Sequence, residues 1–307
     1  MQVEISGLRK VYQGGITALH GLDLTIPAGI FGLLGPNGSG KTTLMRILAT
    51  LLEPTSGEAR VGGHDVRREK AAVRELLGYM PEEFGFYPNL TAYEMLDYLA
   101  LLCRINDQKE RRSRVERALQ RVNLDQVAGQ RVGTFSSGMK RRLGIAQAIL
   151  NNPRVLIMDE PTSGLDPEER VRLRNLLAEL AGDRVVILST HIVNDIASIG
   201  QRLAILRHGR CLFSGRLSDL LEPLRGRTWI IDIEEDELSR IRQDFEITGV
   251  FRSATGMQVR LLSDAMSHPR GYATEPALDD AYVALMNRDA AQTDTRGEQE
   301  ADLSETA

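Results

Sequence analysis

The sequence predicts an α/β domain built on buried parallel strands, interrupted by a helical insert and followed by a small α+β lobe. Three observations carry this. The runs Ile30 to Leu34, Val155 to Met158 and Val185 to Leu188 are continuous Val/Ile/Leu stretches, as in strands covered on both faces. Between the first two runs, residues 88–150 carry apolar positions at helical spacing. Beyond Gly215, the apolar pattern changes to strict alternation.

Taken in order, Val3 and Ile5 alternate as on an edge strand. The segment from Met1 to Val11 carries Glu4, Arg9 and Lys10, which does not fit a secretory leader. The strand Ile30 to Leu34 runs into a glycine-rich turn and then a helix expected over about Thr43 to Leu51. In the insert, Thr91 caps a helix over Ala92 to Leu102, and a charged helix follows from about Gln108 to Val122. A third helix begins at Ser136 or Ser137, carries Met139, Leu143, Ala146 and Leu150 on one face, and is stopped by Pro153. In the lobe, Trp229, Ile231 and Ile233 alternate, as do Met257, Val259 and Leu261, and Pro276 precedes a helix expected over Leu278 to Met286. The expected boundaries are residues 1–215, 216–287 and a tail over 288–307. That tail holds one large apolar residue, Leu303, among many polar ones, a composition that points to disorder.

Bulk properties narrow the function classes. The 307 residues are 42% hydrophobic and 26% charged, as in a globular protein with a full core. A net charge of −4 opposes broad binding to nucleic acid, which relies on clustered Lys and Arg. Two cysteines, Cys103 and Cys211, are too few for a disulfide framework and suit a reducing compartment. No apolar run approaches the ~18 residues of a membrane span. The expectation is a cytoplasmic protein whose contact with a membrane goes through a partner.

The chemistry starts at Gly35-Pro36-Asn37-Gly38-Ser39-Gly40-Lys41-Thr42, which fits the phosphate-loop pattern after a strand and before a helix. The glycines let the backbone turn and approach an anion, and successive N–H groups with the helix dipole then surround it. Lys41 is placed for the β- and γ-phosphates, the Thr42 hydroxyl for Mg²⁺, and Thr43 continues the cradle. A loop of this kind predicts a nucleoside triphosphate, without saying which enzyme class uses it.

Further motifs decide. Phe135-Ser136-Ser137-Gly138-Met139 precedes a basic Lys140-Arg141-Arg142, and Val155 to Met158 ends in Asp159-Glu160. Ser163-Gly164-Leu165-Asp166 follows, and Ser189-Thr190-His191 closes the third buried strand. With the phosphate loop, these five motifs, in this order, resemble the ABC ATPase family over about Val3 to Arg216. The resemblance implies a P-loop cassette with a RecA-like core, an N-terminal antiparallel β region and the helical insert over about 88–150. It also implies ATP and Mg²⁺ as ligands.

Residue by residue, the resemblance makes Asp159 a holder of Mg²⁺, through water, and Glu160 the group that orients or deprotonates the attacking water. Taken alone, the same acidic pair could be a solvated helix cap before Pro161. His191 matches the family's γ-phosphate contact, where an ordinary loop histidine is the alternative. Tyr12 fits the aromatic that stacks on adenine, or else is an exposed strand tyrosine. Ser136, Ser137 and Gly138 match the signature and Asp166 the D-loop, and in this family the signature of one cassette closes on ATP held by the phosphate loop of another. A homodimer is therefore implied, together with separate permease subunits and no nucleic-acid partner.

Two departures stand out: Ser137 replaces the first signature glycine, and Glu82 replaces the usual Q-loop Gln. A carboxylate at position 82 can accept from water or approach Mg²⁺ but lacks the amide donor. Gly78-Tyr79-Met80-Pro81-Glu82 with Met139 resembles the type-2 exporters. In such transporters a short permease helix enters beside the insert, and Phe84, Phe86 and Tyr87 either meet it or tie the insert down. A soluble ABC ATPase and a degenerate cassette with little turnover are the competing readings. The former's long coiled coil or second cassette is absent from the sequence; the latter is opposed by Lys41, Asp159, Glu160 and His191.

Overall fold

The computed structural model describes every residue except 200, 254–255, 267 and 306–307. The chain divides into two compact units, Met1–Ser214 and Gly215–Ala307.

The first unit opens with β1 (Gln2–Val11), β2 (Thr17–Pro27), β3 (Gly29–Leu34), β4 (Ser56–Val61), β5 (His64–Asp65) and β6 (Leu77–Met80), with α1 (Lys41–Leu48) and α2 (Lys70–Leu76) between them. The insert supplies α3 (Ala92–Leu102), α4 (Gln108–Arg121) and α5 (Ser137–Ile149). Then come β7 (Val155–Met158), α6 (Pro167–Ala181), β8 (Val185–Thr190), α7 (Val193–Ile199), β9 (Arg202–Arg207) and β10 (Arg210–Arg216).

The strands form two sheets, an antiparallel one in the order β2-β1-β4-β5 and a six-stranded one in the order β10-β9-β3-β8-β7-β6. In the second sheet β9, β3, β8, β7 and β6 run parallel. The runs Val155 to Met158 and Val185 to Leu188 are fully buried because they serve two cores at once. Val155, Ile157, Val185 and Ile187 pack with α1 and the antiparallel sheet. Their neighbours Leu156, Met158, Val186 and Leu188 pack with the helices of the insert and α6.

Local signals set the helix ends. Thr91 and Glu94 form a reciprocal capping box at α3, Asp107 caps α4 and Asp166 caps α6, with Pro167 in its first turn. Helix α1 spans Lys41–Leu48, two residues earlier at its start than expected, because Gly40 at φ 102° turns directly into it.

The second unit holds α8 (Leu217–Leu221), β11 (Thr228–Ile233), α9 (Leu238–Asp244), β12 (Glu246–Ser253), β13 (Gly256–Leu262), β14 (Gly271–Ala273) and α10 (Leu278–Glu305). Its antiparallel sheet has the order β12-β13-β11-β14, with Ile231 opposite Val259. Ile231, Ile233, Val259 and Leu261 form its core with Ile241 of α9. On another side Arg260 meets the fully buried carboxylate of Asp280, with Nε 2.8 Å from both oxygens. Thr248 Oγ1 donates to the same carboxylate at 2.5 Å.

Composition pointed to disorder over 288–307, whereas α10 continues through residues 288–305. The stretch is rich in Ala, Gln, Glu and Arg, all strong helix formers, and these can extend an anchored helix without a core of their own. Residues 306–307 lie outside the described part.

Candidate functional site

The carboxyl ends of β3, β7 and β8 converge, as binding sites in open α/β sheets do. A cleft of ≈ 430 Å³ lies there, lined by Asn37 to Thr43, Glu82, Glu160, Ser163 and His191, with Tyr12, Ile16, Thr17 and Ala18 at its margin. Its size is that of a small-molecule site.

The loop after β3 can be built in only one way at two positions. A Cβ on Gly35 would stand 2.3 Å from the carbonyl oxygen of Leu206. One on Gly40 would stand 2.7 Å from the oxygen of Ala18, and Gly40 also has φ 102°. Lys41 folds back over the loop, its Nζ donating to the carbonyls of Gly35 at 2.6 Å and Pro36 at 3.1 Å. Burial lowers the Lys41 ammonium below the ordinary lysine value, while the carboxylates of Glu160, Asp159 and Glu82 oppose that shift. A cation so placed is prepared for anionic oxygens to replace the two carbonyls.

Asp159 and Glu160 follow β7, where the register sets Met158 opposite Leu188 of β8. The next residue of β8, Ser189, is fully buried. Its hydroxyl donates to Asp159 Oδ1 at 2.6 Å and accepts from the Glu160 N–H at 2.9 Å. Glu160 has φ 48°, a left-handed backbone uncommon for a residue other than glycine. His191 Nδ1 stands 3.0 Å from Glu160 Oε1, and since a carboxylate only accepts, the imidazole N–H donates. Asp195 supports the same turn, accepting from Thr162 Oγ1 at 2.6 Å.

The donor set fits a nucleotide and a hard metal ion. Ser39 Oγ, Asp159 Oδ2 and Glu160 Oε2 are buried polar atoms with no hydrogen-bond partner among the described residues. Buried groups of this kind are ordinarily satisfied, and all three stand at or beside the cleft. Carboxylate and hydroxyl oxygens are the ligands Mg²⁺ prefers, usually with several waters kept.

Tyr12 is 38% exposed at the mouth of the cleft. Its hydroxyl shares a hydrogen bond of 3.1 Å with Thr43 Oγ1, and Lys10 Nζ lies 5.4 Å from its ring centroid. The ring is thus held in place at the mouth of the cleft.

Comparison with known proteins gives this site its family. The family model described as ABC transporter matches residues 19–163. The daunorubicin resistance ATP-binding protein DrrA3 of Streptomyces coeruleorubidus is 35% identical over 257 residues, covering 81% of this chain and 79% of that protein. The chain belongs to the ABC transporter ATP-binding family. The probable multidrug ABC transporter ATP-binding protein YbhF of Escherichia coli (strain K12) is 34% identical over 300 residues, 92% of this chain. Those residues are 52% of YbhF, so the chain spans about half the length of that relative. Among solved structures, the dimeric post-hydrolysis state of the ATP-binding cassette MJ0796 bound to ADP and Pi is similar at a TM-score of 0.65 and 29% identity, covering 70% of this chain and 98% of that one.

In this ABC cassette the signature stands outside the cleft. Ser136 caps α5 by accepting from the Met139 N–H at 3.2 Å, and Ser136 and Ser137 are exposed. A Cβ on Gly138 would meet only Leu165 Cδ2 at 3.8 Å and Ser136 Oγ at 4.0 Å, which is ordinary contact. Nothing among the described residues demands a glycine there. Asp166 likewise caps α6 rather than lining the cleft.

Glu82 does line the cleft, and its carbonyl accepts from Arg141 Nη1 at 3.1 Å. Arg141 also lies 5.4 Å from the Phe84 ring centroid, and Phe84 stacks on Phe86 at 5.0 Å. A Cβ on Gly144 of α5 would stand 2.1 Å from Phe84 Cε1, so this glycine makes room for the ring. Phe84 and Phe86 therefore tie their segment to the insert, while Tyr87 stays 54% exposed. A groove of ≈ 410 Å³ opens beside them, lined by Phe84, Phe86, Pro88, Val132 and Lys140. Among the described residues, no helix is long and apolar enough to cross a membrane.

The roles of Ser189 and Asp195 were missed in the sequence. Both depend chiefly on neighbours about 30 positions away, Asp159 and Glu160 for Ser189 and Thr162 for Asp195, and a lone serine or aspartate there carries no local signal. The only available hint was the place of Ser189 beside Thr190 and His191.

Proposed function

We propose that this chain is the ATP-binding and ATP-hydrolysing subunit of an exporter, powering a separate membrane permease through head-to-tail closure of two copies on ATP and Mg²⁺. It then works at the cytoplasmic face of a membrane, peripheral through the permease. The single observation that carries the reading is the division of its parts. Lys41, Glu160 and His191 share one cleft with Asp159 buried beside them, while the exposed Ser136 and Ser137 begin α5 outside it, next to a Gly138 that no described neighbour crowds.

In this reading the cradle of Gly35 to Thr43 and Lys41 holds the phosphates, and Tyr12 stacks on the base. Thr42, Asp159 and Glu82 would hold Mg²⁺, which would supply charge neutralisation at the phosphate oxygens. Glu160 takes up or orients a proton of the attacking water, held to its task by the His191 imidazole. The exposed Ser136 hydroxyl, Ser137 and the N–H groups of the first turn of α5 cover the phosphates of the other copy, with Asp166 at the seam. The groove beside Phe84 and Phe86 receives a short permease helix, and Arg141 connects that groove to the Glu82 backbone. The names of relatives that concern drug resistance and multidrug transport support export as the direction.

Phosphate release by the purified chain with ATP and Mg²⁺ tests this reading. Turnover is expected in the wild type, and Glu160→Gln is expected to bind a fluorescent ATP analogue normally while losing at least a hundredfold in rate. Near-normal turnover in the variant sinks the assignment of Glu160.

A further inference from the structure

Ser189 is a polar residue in a place that burial alone would give to an apolar one. It follows Val185 to Leu188 in β8, pairs with Leu33 of β3 across the sheet, and is fully buried. A buried hydroxyl without partners costs free energy, so its presence needs partners, and it has two. The one proton goes to Asp159 Oδ1 at 2.6 Å. A lone pair takes the N–H of Glu160 at 2.9 Å.

We propose that Ser189 is a positioning residue for nucleotide hydrolysis, one hydroxyl that orients the metal-holding carboxylate and locks the turn aiming the carboxylate next to it. The inference rests on the reading of the cleft as an ATPase site. Its first half concerns Asp159. With Oδ1 engaged, Asp159 presents Oδ2, the atom left buried without a partner, as the oxygen for the metal or its water. Outer-shell hydrogen bonds of this kind fix the orientation of ligating carboxylates.

The second half concerns Glu160. Its φ of 48° is sparsely populated for such a residue and persists only where the surroundings over-determine it. The Ser189 hydroxyl is the acceptor that holds the Glu160 N–H in that turn, while the neighbouring Asp159 N–H donates to the Met80 carbonyl at 2.9 Å. The same turn directs Oε1 of Glu160 to His191 and leaves Oε2 facing inward. One serine thereby keeps two adjacent acids in different tasks. Alanine at this position removes the donor to Asp159 and leaves the Glu160 N–H unpaired, whereas threonine keeps the hydroxyl.

The test compares wild type, Ser189→Ala and Ser189→Thr. Three quantities are measured: kcat and KM for ATP, the affinity of Mn²⁺ for the complex with a non-hydrolysable ATP analogue (by electron paramagnetic resonance), and the melting temperature. Ser189→Ala is expected to lower kcat and weaken Mn²⁺ binding by about tenfold or more, with KM for ATP changed less than about twofold, since the phosphate loop is untouched. Ser189→Thr is expected to restore both quantities. Wild-type kcat and Mn²⁺ binding in Ser189→Ala overturn the proposal, and so does an equal loss in both variants, which marks a packing effect. A wild type that binds neither the analogue nor Mn²⁺ with it overturns the ATPase reading itself, a result separate from those two.

Discussion

The imidazole of His191 and the carboxylate of Glu160 meet at 3.0 Å, joining residues that follow two different strands, β8 and β7. The contact occupies Oε1 while Oε2 stays without a partner. His191 is 47% exposed at its side chain and Glu160 is 8% exposed, so the histidine spans from the open cleft to the buried acid.

Removing that link isolates Glu160. His191→Ala is expected to cut ATP turnover by about a hundredfold, the low end of what a positioned proton-transfer partner contributes. Nucleotide affinity, set by the phosphate loop, is expected to stay within about threefold. Steady-state phosphate release and titration with a fluorescent ATP analogue separate the two.

Lys41 carries a pH-dependent cost. Burial lowers its folded value, so unfolding takes up a proton between that value and the ordinary 10.5. The cost is fully present below the folded value and disappears as pH rises toward 10.5. Without nucleotide, Lys41→Met is expected to melt higher than wild type by about 2 °C or more at pH 7, with the gap narrowing at higher pH. The same variant is expected to lose the stabilisation that ATP gives the wild type. Differential scanning fluorimetry across pH, with and without ATP, checks both.

The cleft was legible to the extent that its residues are contiguous. Gly35 to Thr42 could be read directly because the turn, the glycines and the following helix are all local. Asp159, Glu160 and His191 were found because they stand behind two buried apolar runs in the order of the family's motifs. The two-sheet arrangement was less legible from local pattern: Val3 and Ile5 gave one edge strand, and the antiparallel region, which has four strands, was implied only by the family resemblance. Their order depends on long-range pairing, such as Val3 opposite Val61, which no local pattern encodes. Ser189 was missed for the same reason, since its partners are set by the register of β7 and β8. Low apolar content in the tail excludes a core of its own but does not exclude a helix continuing from an anchored first turn.

That anchor has its own consequence. Asp280, fully buried in the second unit, holds Arg260, Thr248 and the Ala277 N–H. Breaking a buried pair by removing one partner costs about 3–5 kcal/mol. Asp280→Ala is expected to destabilise the second unit by that amount. The chain has one tryptophan, Trp229 on β11, so its fluorescence during urea unfolding reports on this unit.

The central claim is that the ATP site of one copy is completed by the signature of another. Sedimentation of Glu160→Gln with and without ATP and Mg²⁺ tests it most directly. The account predicts a monomer without nucleotide, a dimer with it, and no dimer once Ser136→Arg is added. A Glu160→Gln protein that binds ATP and stays monomeric, or a dimer indifferent to Ser136→Arg, contradicts it.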